Sequence, residues 1–271
     1  MIRNTLSLLL IEELIRFRHL LFGLTARSLK TAYTGSAGGA SWVYIKPLII
    51  IFAYYFVFDK VLSIRLSSEI GGTSNYSLYL LSGILPWLVF SEAMIEGASC
   101  LVRESGLIKK TRFPLELVPA RSVLTSSIKI FPFFLLIWPL AVFFAEGSWF
   151  SLPYLIAWIA IQLLLTYYFI LALSILSAAL RDIGILVESV FPMLLFFSPV
   201  LYPIESVPSG FHWLLWLNPF TPLADGFHAI LLRGEMPAMI NVVVLLGWIV
   251  LGLLLCHVLL KRSREHIVDW L

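Results

Sequence analysis

Few side chains in this 271-residue chain are able to do chemistry, and they are scattered. Lys46, Lys129 and Glu188 stand inside long apolar stretches, with Glu92 and Glu96 near the end of another. An ionisable group at such depth is a pathway hypothesis by default. A proton-driven pump would need a repeated Asp, Glu or His relay, whereas these groups are spread along the chain. Lys46 and Lys129 fall a few residues inside the expected inner ends of their helices, where an ammonium can snorkel to the interface. Glu188 faces a wet cavity or pairs with Arg181 or Lys129; spacing does not choose. Glu205, His212, Asp225 and His228 are too dispersed for a catalytic cluster.

No glycine is followed by lysine, so there is no G-x-x-x-x-G-K-[ST] phosphate loop, and H-E-x-x-H and G-x-S-x-G are missing too. Cys100 and Cys256 are far apart and lack metal-ligand spacing, which reads as two small core hydrophobes and no metal site. Uphill transport by this chain therefore needs energy from another polypeptide, and an enzymatic role would rest on isolated loop residues.

The elements that must carry these groups follow from composition. Apolar residues make up 60% of the chain and charged ones 13%, against roughly 45–50% and about 25% in ordinary globular domains. One soluble core cannot hide that much hydrocarbon, so the expected class is an all-α integral membrane protein. The net charge of +3 is too small to argue for nucleic acid. A crossing of ~30 Å needs about 20 apolar residues, and six segments qualify: 42–62, 76–98, 117–145, 152–180, 183–202 and 236–260. The stretch 211–232 is also apolar, yet Pro219 and Pro222 break it and His212, Asp225 and His228 interrupt it. Broken backbone at membrane depth survives only against protein or water. A re-entrant outer hairpin over 203–233 is the expectation there.

Basic residues test the count, because Lys and Arg mark cytoplasmic loops. Arg3, Arg16, Arg18, Arg27 and Lys30 precede the first span; Arg103, Lys109, Lys110 and Arg112 follow the second. Arg181 follows the fourth, and Lys261, Arg262 and Arg264 the sixth. Six crossings with both termini in the cytoplasm satisfy every loop. Before the first span, Leu6, Leu10, Leu14, Phe17, Leu21 and Leu24 recur at helical spacing. That makes 1–34 either an amphipathic interfacial helix or a helix packed on the rest, on the inner side in both cases.

Three loops carry more specific information. The segment 102–114 holds Leu107-Ile108-Lys109-Lys110-Thr111-Arg112-Phe113-Pro114, a charged knob with a glycine break before it and a proline stop after it. The second loop reads Ser198-Pro199-Val200-Leu201-Tyr202-Pro203, then Leu217-Asn218-Pro219, where proline removes donors and fixes bends. The third runs from Thr25 to Thr34 and on through Gly38, Trp42 and Pro47 into the first span. Together these resemble the permease subunit of type-two bacterial ABC exporters for cell-surface polysaccharides such as O-antigen, capsule and teichoic acid.

The resemblance implies a homodimer of permeases above two nucleotide-binding ATPase subunits, which would hold the ATP and Mg²⁺, with no cofactor in this chain. It makes Leu107, Ile108, Lys109, Lys110, Thr111, Arg112 and Phe113 the coupling helix that docks on the ATPase. The channel would run between permeases along the first and fifth spans, with Ser198, Pro199, Tyr202, Pro203, Asn218 and Pro219 forming the outer gate. Tyr44 and Tyr55 are eleven residues apart, about three helical turns, with Phe58 and Asp59 continuing the stripe. Aromatic faces hold the C–H faces of sugars by stacking; packing between helices explains the same pattern. The implied function is export of lipid-linked polysaccharide across the bacterial inner membrane. A type-two exporter of drugs or lipids, and a membrane-embedded transferase acting on lipid-linked sugars, are the competing readings.

Overall fold

The computed structural model describes residues 8–62, 75–110, 113–263 and 270, and among these every regular element is a helix. The N-terminal region is two helices, α1 (Leu8–Arg16) and α2 (Arg18–Thr31), parted at Phe17. α2 buries Leu21 and Thr25 along the third long helix, so this region packs on the bundle through that face. A 3-10 turn at Gly39–Ser41 leads into α3 (Trp42–Tyr55), which continues as a π-helical turn over Phe56–Val61.

α4 (Tyr76–Ala98) starts where Asn75, in extended conformation, accepts a hydrogen bond from the Ser77 amide at 3.1 Å. Two short helices follow, α5 (Cys100–Arg103) and α6 (Ser105–Lys110). The next long pair is α7 (Leu117–Phe144) and α8 (Leu152–Ala179). After a tight turn come α9 (Asp182–Leu194) and a 3-10 turn at Leu195–Phe197. The chain then folds through α10 (His212–Trp216) and α11 (Phe220–His228), whose end loosens into a π-helical turn at Ala229–Arg233. Gly234 closes that turn at φ +67°, where a Cβ would lie 2.8 Å from the Ser148 amide nitrogen, so both backbone and space demand glycine. α12 (Met239–Ser263) is the last long helix, with Lys261 and Arg262 in its final turn, where a helix favours cations.

Among the described residues, five helices are long and apolar enough to cross a membrane: Gly39–Val61, Tyr76–Ala98, Leu117–Phe144, Trp149–Ala179 and Met239–Ser263. They match five of the six expected segments within a few residues. The segment 183–202 differs. Its α-helix has 13 residues, about 20 Å at 1.5 Å per residue, and Ser198 turns extended ahead of Pro199. The apolar run Val200-Leu201 continues as turn rather than helix because proline punctuates it.

α4 lies at the centre, packed on α7 and α8 and then on α9 and α11. Its small residues allow this: at Gly97 a Cβ would meet Ile170 Cγ2 of α8 at 2.3 Å. α11 is buried as well, with Phe220, Leu223, Ala224 and Phe227 fully enclosed among α4, α8 and α12. The proline-broken stretch thus returns into the bundle and satisfies its backbone against protein. Cys100 and Cys256 are both free and buried, as read from their surroundings.

Candidate functional site

The basic knob is built on a bend. α5 follows α4 after the single residue Ser99, then Glu104 breaks the helix and its carbonyl accepts the amides of Leu107 and Ile108 at 2.9 and 3.1 Å. Ile108 is buried and Lys109 exposed, so α6 is anchored by one apolar side chain and shows charge outward. Leu107 and Phe113 are half-buried on either side. Thr111 and Arg112 lie outside the described residues. The knob is tied to α7 by Arg121, whose guanidinium donates to the Glu104 carboxylate at 2.7 Å. That bridge is not visible in the motif, because the partners are 17 residues apart.

Deeper in the bundle, Lys129 of α7 donates to the Glu92 carboxylate of α4 at 2.7 Å. The ammonium is 7% exposed as a residue, so Lys129 does not snorkel; it is held by a carboxylate on the neighbouring helix. Glu188 forms no ion pair with Arg181 or Lys129 among the described residues and lines the same cavity as Lys129 and Lys46.

The aromatic stripe of α3 divides. Tyr44 is exposed and Tyr55 half-buried. The Lys60 ammonium lies 5.2 Å from the Tyr55 ring centroid and 2.8 Å from Asp59, and Asp59 also accepts from the Ser77 hydroxyl at the start of α4 at 2.8 Å. Phe58 stacks on Tyr54 at 6.1 Å. The π-helical turn over Phe56–Val61 changes the register that straight α-helical spacing assumes. Phe58 and Asp59 are engaged within this chain, while Tyr44 presents a free face.

The proline-rich hairpin brings its marked residues together. The Ser198 hydroxyl donates to the Leu194 carbonyl at 2.7 Å and accepts from Asn218 Nδ2 at 2.7 Å. Asn218 also donates to the Phe197 carbonyl at 3.2 Å and accepts the Phe220 amide at 3.0 Å. Tyr202 donates to the Phe196 carbonyl at 2.6 Å. Pro199 offers its carbonyl, Pro203 is buried, and Pro219 precedes α11.

Residues that spacing alone did not single out bolt this hairpin to α4. Tyr76 and Tyr79 donate to the carbonyls of Leu201 and Pro199 at 2.9 and 3.3 Å. His228 sits between: Nε2 donates to the Pro199 carbonyl at 3.0 Å, Nδ1 meets the Ser82 hydroxyl at 2.7 Å, and its ring stacks on Tyr79 at 4.1 Å. Tyr76, Tyr79 and Ser82 recur every third residue on one face of α4, which is the signal that would have found them.

Long apolar helices around a buried central one, a charged knob at one end and a cross-bonded proline hairpin define a multi-pass membrane protein. Residues 19–232 match the family described as ABC-2 type transporter. The chain belongs to that family. It is 30% identical over 236 residues to the O-antigen export system permease protein RfbA of Myxococcus xanthus, covering 84% of this chain and 86% of that one. A protein of the same name from Klebsiella pneumoniae is 27% identical over 254 residues, 91% of this chain and 94% of that one. The polysialic acid transport protein KpsM of Escherichia coli is 25% identical over 261 residues, 90% and 92% of the two chains.

Proposed function

We propose that this chain is the channel-forming permease subunit of an ATP-driven exporter that moves lipid-linked, O-antigen-like polysaccharide across the bacterial inner membrane. The observation that carries this reading is similarity along nearly the whole chain to permeases named for O-antigen export. Six crossings with both termini in the cytoplasm are part of it, α9 being the short one, and so is a homodimer. Two ATPase subunits, carrying ATP and Mg²⁺, complete the assembly, and this chain hydrolyses nothing itself.

In this mechanism α6 docks into the ATPase while buried Ile108 anchors it from within this chain; Leu107 and Phe113 are its apolar contacts and Lys109, Lys110, Thr111 and Arg112 its polar ones. Movement of the knob reaches α7 through the Glu104–Arg121 bridge, made between partners 31% and 17% exposed. The Lys129–Glu92 pair passes it to α4. The glycan path lies along α3 and α9, where Tyr44 and Tyr55 are the stacking platforms. Ser198, Pro199, Tyr202, Pro203, Asn218 and Pro219 form the outer gate. The bonds from Tyr76 and Tyr79 of α4 to the Leu201 and Pro199 carbonyls support a gate that moves with α4 rather than as a free loop.

The test is replacement of Lys109, Lys110 and Arg112 by Ala in the assembled complex. ATPase copurification and transport-coupled hydrolysis are expected to fall severalfold, while the amount of inserted chain stays constant. Unchanged hydrolysis and export would remove the knob from the coupling role.

A further inference from the structure

α4 runs unbroken over 23 residues, yet one rung of its backbone ladder is missing by chemistry. Pro86 lies inside it and has no amide to give to the Ser82 carbonyl one turn earlier. At that height α8 reaches across, and Gln162 Nε2 donates to the Pro86 carbonyl at 2.7 Å. Gln162 is 2% exposed and is the one carboxamide on a helix without charged residues. One turn away on the same face of α8, the Trp158 indole donates to the Leu223 carbonyl of α11 at 3.0 Å. Its ring lies against the α11 backbone, since a Cβ on Gly226 would collide with it. α8 thus holds α4 and α11 by two donors a turn apart. Among the described residues, Pro47, Pro132, Pro139 and Pro192 inside α3, α7 and α9 receive no side-chain bond at their carbonyls.

Pro86 separates two sets of contacts. Before it, Tyr76 and Tyr79 bond the hairpin carbonyls and Ser82 meets His228. Gly83 lets the hairpin press on the helix, because a Cβ there would meet Val200 Cα at 3.2 Å. After it, Glu92 accepts from Lys129 and Gly97 seats Ile170 of α8. Movement arriving at Glu92 must cross the weakened turn between Ser82 and Pro86 to reach the hairpin. Stability is a poor reason for Gln162, since interhelical hydrogen bonds in membranes contribute little on average. What this bond supplies is a fixed point at the missing rung. We infer that Gln162 is a positioning residue for export, holding α4 at Pro86 as the fulcrum across which its inner half moves the outer hairpin. Without that bond the two halves of α4 turn independently, and hydrolysis continues while the gate stays behind. The inference rests on the export reading and adds the joint to it.

The experiment compares two variants with the unaltered chain by three measurements. These are ATP hydrolysis of the assembled complex, surface glycan of cells carrying the variant, and thermal unfolding of the purified full-length chain in detergent. Gln162→Met keeps an unbranched side chain and removes the donor. Pro86→Ala returns an amide to the Ser82 carbonyl and closes the ladder. Both variants are expected to insert, melt and hydrolyse ATP as the unaltered chain does. Surface glycan is expected to fall at least about fivefold in each, the factor set by one interhelical hydrogen bond. A role in packing alone would instead lower melting, hydrolysis and glycan together, and that outcome for Gln162→Met overturns the fulcrum. Normal glycan with either variant overturns it as well. Should Gln162→Met fail to insert, Pro86→Ala decides alone by the same readings. Cells lacking the chain are scored in parallel. Glycan that persists in them overturns the export reading, whereas glycan lost in them and normal in the variants overturns the fulcrum alone.

Discussion

α4 and the first span, Gly39–Val61, are both 23 residues long and have the same mean hydropathy, yet 78% of the most apolar window is buried in one and 11% in the other. Apolarity therefore does not tell the inside of a membrane bundle from its surface. Lipid tails are as apolar as leucine, so helices associate through close packing and polar contacts instead. α4 offers Ser82, Gly83, Ser91, Ala93 and Gly97 for close approach, and all are buried. The first span offers Ile49, Phe52, Phe56 and Val61, all more than half exposed.

Substitutions sharpen this contrast. Phe90 packs against Phe220 at 5.3 Å and Phe191 at 5.8 Å and is 2% exposed; Phe90→Ala is expected to cost about 3–5 kcal/mol. Phe52→Ala on the first span should cost under about 0.5 kcal/mol. Thermal unfolding of the isolated chain in detergent compares the two, and equal losses would break the distinction.

Glu92→Ala comes next, because it strands the Lys129 ammonium. We expect about 2 kcal/mol, below the figure for a fully buried pair since the carboxylate is 33% exposed. The double change Glu92→Gln with Lys129→Met should recover most of it in the same assay. A smaller loss, about 1–2 kcal/mol, is expected for Gly97→Ala, where the new methyl must displace Ile170. No loss at all would mean that α4 and α8 separate without cost. The smallest effect on stability belongs to Tyr44→Ala with Tyr55→Ala: melting should shift by under about 0.5 kcal/mol, while surface glycan, read by immunoblot, falls clearly. Normal glycan would return both tyrosines to packing.

The starts and ends of the long helices were readable from sequence within a few residues, and α4 matches its expected segment at both ends. Lys109 shows outward on α6 as the motif implies, and the proline hairpin is compact. The fate of single residues was less accessible. Lys129 was expected at the interface and instead meets Glu92, 37 residues away. Phe58 and Asp59 were placed on a stripe with Tyr44, and the π-helical turn and Ser77 engage them elsewhere. His228, set among apolar residues with no assigned role, is pinned to Ser82 across 146 residues.

The sequence by itself determined that this protein is a set of membrane helices, where most of them begin and end, and which family it joins. It does so because hydrocarbon forces each crossing to satisfy its own backbone, so length and composition suffice. Only the tertiary structure decided which helix stands at the centre, which charges meet, and that a cavity of mixed sign lies between them. Those outcomes depend on the rotation of each helix about its own axis. A helix that is apolar all round leaves that rotation undetermined until small residues and distant polar partners engage.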